Sequence, residues 1–218
     1  MDASGKPGRD GGQAFPIYVV VVAGLLFAAL AFFVIGQASV TRSDAQGAAD
    51  AAALAVGREA RDTVLLGLDL AALKPADWQK IVDGDFFKAG EACAAAEVFA
   101  AKNEAKATGC DSSLLPKITV TVETNGTVGE SVIPGTGSMH GTATATALIE
   151  PRCRLGAVAT PTPTPTPTST AGGESQAPTP TPPTVTFTCN GEPVELDPLK
   201  PGSLRALTKK LFSVRLVG

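Results

Sequence analysis

Residues Ala14–Ile35 read AFPIYVVVVAGLLFAALAFFVI, and residues 46–55 read QGAADAAALA. These two stretches decide the architecture. No Asp, Glu, Lys, Arg or His occurs between Asp10 and Arg42. As a helix the apolar run is ~33 Å long at ~1.5 Å per residue, enough for a hydrocarbon core of roughly 30 Å. Pro16 falls in the first turn, where a missing N–H costs nothing. Lys6, Arg9 and the small-x-small step Gly36-Gln37-Ala38 also have the outline of a cleaved secretory signal. The apolar run, however, exceeds the ~7–15 residues of such a segment. The sequence therefore predicts an uncleaved membrane helix over residues 14–36, preceded by a cytoplasmic N-terminus at residues 1–13.

Working outward from the span, Ala45–Ala60 is dominated by alanine, and no proline occurs between Gln37 and Leu73. Alanine is the best helix former. The membrane helix is thus expected to continue through residues 37–73 and to stop before Lys74-Pro75, because proline disfavours a helical predecessor. Gly47, Ala51 and Ala55 form a small-x-x-x-small repeat that lets another helix approach closely. The plainer expectation from the same composition is an alanine-rich helix with one solvated face.

Composition agrees with a membrane anchor carrying an aromatic-poor head. The chain has 218 residues, 44% hydrophobic and 18% charged, with a mean hydropathy of +0.17. Five of its aromatic residues, Phe15, Tyr18, Phe27, Phe32 and Phe33, lie in the span itself. A formal charge of −3 argues against a nucleic-acid partner. His140 is the sole histidine, which disfavours His-based metal sites and His-relayed triads.

Beyond the span the pattern predicts a small α+β head over residues 74–158 and 185–218. Trp78–Val82 reads as a short helical turn, with Asp83-Gly84-Asp85 as a turn signal. Cys93, Ala96, Glu97, Ala100, Ala101 and Glu104 recur at helical spacing, predicting a helix over Glu91–Ala107. Ile118, Val120 and Val122 alternate with polar residues, and Asn125-Gly126 is a hairpin-type dipeptide. That places a return strand at Val128–Ile133 and a third strand at Thr142–Ile149. Val185–Cys189 and Ser213–Val217 are further strands, and Leu204, Leu207 and Leu211 mark an amphipathic helix. Residues 159–184, rich in Pro-Thr repeats, read as a disordered, extended spacer inserted within the head.

The four cysteines, Cys93, Cys110, Cys153 and Cys189, all follow the span and allow three pairings. Paired thiols fit an oxidising exterior, which puts the head outside the cell and the N-terminus in the cytoplasm. Cys93–Cys110 and Cys153–Cys189 are the favoured bridges. The first ties the second helix to the sheet, and the second closes the Pro-Thr excursion.

The search for chemistry returns nothing. Gly135–Gly141 fits neither G-x-S-x-G nor G-x-G-x-x-G and reads as a turn bearing a surface histidine. Asp83 and Asp85 lack the other EF-hand ligands. Glu192, Glu195 and Asp197 lie in a proline-bounded loop without an acid–base partner. Arg205, Lys209, Lys210 and Arg215 form the most basic patch, read as a solvated face or a contact for anionic cell-wall polymer or lipid. No cofactor, metal site, small-molecule substrate or catalytic constellation is expected.

Gly12, Gln13 and Ala14 ahead of the span, with Gln46, Gly47, Ala48, Ala49, Asp50, Ala51, Ala52, Ala53, Leu54 and Ala55 after it, resemble the TadE/TadG-like proteins of the tight-adherence (Flp) pilus system. In that family a short leader precedes one membrane helix that runs into a Q-x-A-A-D-A-A-A-L-A signature. The resemblance covers residues 10–60. It implies a single-pass bacterial membrane protein, a pseudopilin-like or accessory subunit of a pilus assembly and secretion apparatus. Its partners would be other pilus-assembly proteins met by lateral helix packing. Prepilin processing favours glutamate at the fifth mature position, which counted from Gly12 is Ile17, so an accessory subunit is expected over a major pilin. The contrasting expectation is a membrane-anchored surface adhesin or cell-wall-binding module that uses the head and the Pro-Thr excursion.

Overall fold

The computed structural model describes residues 14–129, 135–158 and 184–218. It is an α+β protein in which one long helix serves first as the apolar N-terminal segment and then as the central helix of the head. In chain order the elements are α1 (Ala14–Thr63), α2 (Pro75–Asp83), α3 (Ala89–Ala92), α4 (Ala94–Lys102), β1 (Ala105–Asp111), β2 (Lys117–Thr127), a 3-10 turn at Thr136–Ser138, β3 (His140–Pro151), β4 (Cys153–Val158), β5 (Val185–Cys189), β6 (Glu192–Leu196), α5 (Leu204–Leu211) and β7 (Phe212–Val217).

The 50 residues of α1 form an unbroken helix ~75 Å long at ~1.5 Å per residue. It ends at Thr63, ten residues short of the expected stop at Leu73. The Thr63 hydroxyl donates back to the Glu59 carbonyl at 2.7 Å, and Gly67 takes a left-handed φ of +78°. The chain then folds back so that Val64, Leu65 and Leu70 enter the core. Burial of three apolar side chains outweighs the small gain from prolonging an unsupported helix.

A four-stranded antiparallel sheet, ordered β1-β2-β3-β7, packs on the head half of α1. Along β2 the alternation is clean. Ile118, Val120 and Val122 are fully buried, while Thr119 and Thr121 point away and pair across the strand with Thr146 and Thr144, at 2.9 and 3.0 Å between hydroxyls. Ala145, Ala147 and Ile149 supply the facing row of β3. A second sheet, β4-β5-β6, caps the far end. There Trp78 stands edge-on to Phe187, with centroids 5.9 Å apart, and Phe87 edge-on to Phe212 at 5.1 Å. These two pairs concentrate the head's few aromatics at the end away from the span.

Three further expectations need correction. The helix expected over Glu91–Ala107 breaks into α3 and α4, and Ala105–Asp111 is an edge strand. Asn103 caps α4 by donating its side-chain amide to the Phe99 carbonyl at 2.7 Å. Glu104 then turns at φ +54°, and β1 pairs with β2 from Ala105↔Thr124 onward. Second, Asn125-Gly126 is no turn but lies inside β2, which runs on to Thr127. The returning strand is β3, beginning at His140 rather than Val128. Val128 and Gly129 are outside any strand, and residues 130–133 of the expected return lie outside the described residues. Third, Glu192–Leu196, read as a loop, is strand β6, stitched to β5 from Val185↔Leu196 to Cys189↔Glu192. The turn between them uses Asn190 and Gly191, both at positive φ.

The bridges Cys93–Cys110 and Cys153–Cys189 are both formed, spanning 17 and 36 residues. In the chain-entropy relation loops of these lengths stabilise by about 3 and about 4 kcal/mol. Cys153 and Cys189 are also register partners of β4 and β5. The bridge therefore fastens both roots of the Pro-Thr excursion, whose own residues, 159–183, lie outside those described.

Candidate functional site: the junction of span and head

The ten residues Gln46–Ala55 fall on the first turns of α1 that enter the head. Ala48, Ala49, Ala52, Ala53 and Ala55 are buried, Asp50, Ala51 and Leu54 are half-buried, and Gln46 and Gly47 are exposed. The stretch packs on the chain's own elements: α1 lies against β2 and β3 on one side and α4 on another. Small side chains here bring helix and sheet into close apposition. Of Gly47, Ala51 and Ala55, one end is exposed and the other is buried within the head, so most of the alanine surface is spent internally. What faces outward is a polar edge, where the Gln46 amide donates to the Asp50 carboxylate at 2.8 Å. Gly12 and Gln13 lie outside the described residues, and Ala14 opens α1.

Two glycines set how closely the sheet approaches. A methyl at Gly57 would lie 2.7 Å from Val214 Cγ1, and one at Gly141 would lie 2.6 Å from the Thr41 carbonyl oxygen. The second contact is backbone to side-chain position, so nothing soft can yield. Sequence reading missed Gly141, though an isolated glycine in an alternating Thr/Ala strand is a signal of close backbone approach.

These contacts orient β2 and β3 along α1, with Gly129, just after β2, beside Gln37 of the helix. His140, at the start of β3, is bonded through Nδ1 to the Thr124 carbonyl at 2.7 Å, and the Gly141 N–H donates to Thr124 Oγ1 at 2.9 Å. The turn residues before it form the short 3-10 segment Thr136–Ser138. Between hairpin and helix lie two depressions. One of about 470 Å³ is polar, lined by Ser43, Asp44, Lys102, Glu104 and Thr124 among others. The other, of about 960 Å³, lies nearer the apolar segment, against Phe32, Phe33, Val40, Val128 and Gly129.

At the other end of α1, Asp62 is held by Arg61 at 2.7 Å and faces Arg205 of α5 at 3.9 Å. Arg215 on β7 makes a two-pronged bond to Glu150 of β3, at 2.7 and 2.8 Å. That hydrogen bonding holds the Glu150 carboxyl below, and the Arg215 guanidinium above, their ordinary values. The backbone N–H of Ser113 likewise lowers Asp111. Two cations of the expected basic patch, Arg205 and Arg215, thus face carboxylates of the chain itself. Among the described residues no cluster of three His, Cys, Asp or Glu could hold a metal ion.

From Phe15 to Val40 nearly every side chain of α1 is exposed. This segment, little covered by the other described residues, is long and apolar enough to cross a membrane. Comparisons with curated proteins and with solved structures return no match. Comparison with protein families matches residues 12–59 to the family described as putative Flp pilus-assembly TadE/G-like. The match covers the span and the buried alanine turns together and stops just before α1 ends, so it is the N-terminal helix of this chain that is similar to that family.

Proposed function

We propose that this protein is a single-pass accessory subunit of a Tad-type pilus assembly and secretion system, acting through protein–protein contacts and not through catalysis. The observation that carries the reading is that the family match and helix α1 are nearly coextensive. One rigid rod joins the bilayer to the core of the head without a linker. The N-terminus is cytoplasmic and the head extracytoplasmic, a direction favoured by two disulfides that require an oxidising compartment. Lateral partners meet the lipid-facing surface of the span and the outward edge at Gln46 and Gly47, since the buried alanines are already occupied.

Photo-crosslinkers placed at Gly24 in the span and at Gln46 and Gly47 above it test this in native membranes. Crosslinks to itself or to pilus-assembly proteins are expected. Their complete absence, with piliation unchanged on deletion of the gene, refutes the assignment.

A further inference from the structure

The edge strands of the two sheets are β1, β7, β4 and β6. Proteins guard such edges with bulges, prolines or charges, because unpaired backbone groups invite a foreign strand. β1 carries a register shift between Ala107 and Gly109 and the charges of Lys106 and Asp111. β4 has a shift between Leu155 and Val158, and β6 holds Pro193 with Glu192 and Glu195. β7 has no such guard. Its register with β3 runs unshifted from Phe212↔Pro151 to Val217↔Thr146. Its one charge, Arg215, is turned onto Glu150 of β3 instead of guarding the free side.

The phase of the ladder shows which backbone groups that free side offers. The Arg152 N–H donates to the Leu211 carbonyl at 2.8 Å, one step beyond the Pro151↔Phe212 pair. Bonded and non-bonded pairs alternate along an antiparallel ladder. Ser213, Arg215 and Val217 therefore spend their N–H and C=O groups on β3, and Val214 and Leu216 turn theirs outward. The Phe212 N–H, outward in the same phase, is taken by the Thr208 carbonyl of α5. Among the described residues nothing bonds to the outward groups of Val214 and Leu216. Their side chains are half-buried on the α1 side of the sheet, where Val214 meets Gly57.

The direction of α1 decides against a second copy as the occupant. Thr41 lies beside Gly141 and Gly57 beside Ala147, so α1 runs the same way as β3. Two copies pairing β7 antiparallel in one continuous sheet are related by a twofold axis normal to that sheet. The axis reverses α1, and the two spans would leave in opposite directions, which one bilayer does not accommodate. A strand from a different protein meets no such conflict. We propose that the outer edge of β7 is a docking site for an extended segment of another protein, which adds a strand to the sheet through the Val214 and Leu216 backbone groups. The chemistry it fits is a proline-free segment of alternating character, apolar beside Val214 and Leu216 and uncharged beside Arg215, whose charge Glu150 already balances. The membrane reading of α1 enters only in excluding the second copy.

Amide exchange by NMR on the full chain in detergent micelles, with and without an end-capped hexapeptide of alternating valine and threonine, tests it. In the chain alone the Val214 and Leu216 amides should exchange at least about tenfold faster than those of Ser213 and Arg215. Millimolar peptide should slow both by about tenfold. Leu216→Pro removes an outward donor and spares the β3 ladder, so it should abolish the slowing at Val214. Leu216→Thr loses the same apolar side chain but keeps the N–H, and should bind as the unsubstituted protein does. Slow exchange at both amides in the dilute chain alone means that the chain covers its own edge, and overturns the proposal. Protection that grows with protein concentration in the absence of peptide makes a second copy the occupant and also overturns it. So does an absence of slowing with peptide, or equal slowing in Leu216→Pro. Crosslinking from Gly24, Gln46 and Gly47 tests the pilus assignment separately, so the two readings fail independently.

Discussion

The closest approach in the head gives opposite signs to one chemical change at two glycines. At Gly47, on the outward edge of α1, an added methyl meets nothing within 4 Å. Gly47→Ala should therefore gain the helix-propensity difference, about 0.8–1.0 kcal/mol. At Gly141 the same methyl meets the Thr41 carbonyl oxygen at 2.6 Å and its Cγ2 at 3.0 Å. Leaving glycine in a strand recovers about 0.5–1 kcal/mol, but forcing a methyl into a closed contact costs about 1–3 kcal/mol. The net expectation for Gly141→Ala is a loss of about 1–2 kcal/mol.

For a domain of this size each kcal/mol moves the midpoint by about 2–4 °C. Thermal unfolding in mild detergent, followed by the emission of buried Trp78, should thus rise by a few degrees for Gly47→Ala and fall by a few for Gly141→Ala. Adding Thr41→Ser removes only the Cγ2 contact and should restore little, because the shorter clash is with backbone. An unchanged or raised midpoint for Gly141→Ala would refute the seating of the hairpin on α1.

Other perturbations separate the remaining contacts. Asp62→Ala strands the Arg61 guanidinium, whose side chain is only 13% exposed, and should cost about 2–4 kcal/mol in denaturant titration. Arg205→Ala, at 3.9 Å and largely solvated, should cost under about 1 kcal/mol. Glu150 has a depressed folded value, so its contribution exists above its unfolded value and disappears as pH falls through the folded one. Glu150→Gln should therefore differ slightly from the unsubstituted protein at neutral pH and converge with it below about pH 4.5, read as midpoint against pH. Deleting Pro161–Thr184 leaves Ala159 and Thr160 between the register partners Val158 and Val185, a two-residue hairpin loop. The head should keep its midpoint and both disulfides, and a large loss would show that the excursion contributes to the core.

The α+β class and the apolar helix were legible because each is a one-dimensional signal: a charge-free run, a period of two along Ile118–Val122, an amphipathic turn at Leu204–Leu211. The cysteine pairing was legible from loop logic. What sequence missed depended on contacts between distant segments. Ala105–Ala107 has the composition of a helix, and becomes strand because β2 offers it a ladder and Cys110 must reach Cys93. Asn125-Gly126 has the chemistry of a turn, yet β2 continues through it, with the Asn125 N–H donating to the Glu104 carbonyl. The alanine stripe was read as a surface because helical periodicity reports which residues are small, and says nothing about which neighbour they meet.

Burial of the alanine turns limits the proposed assembly contacts. A subunit that packed on its partners through the alanine turns of α1 would need those turns exposed. Here the same turns lie under β2, β3 and α4, with Ala49, Ala52, Ala53, Val56 and Ala60 fully buried. Exposing them means losing that core, including Leu65, Ile118, Val120 and Val122. Each large apolar side chain is worth about 1.5–3 kcal/mol buried, against a total stability of about 5–15 kcal/mol for a domain. Releasing α1 is therefore equivalent to unfolding the head. Assembly contacts consistent with a folded head are confined to the span, to the outward edge at Gln46 and Gly47, and to the head's exterior. A subunit that meets its partners through the span and the head's exterior satisfies that restriction, and one that needs the alanine turns for those contacts does not.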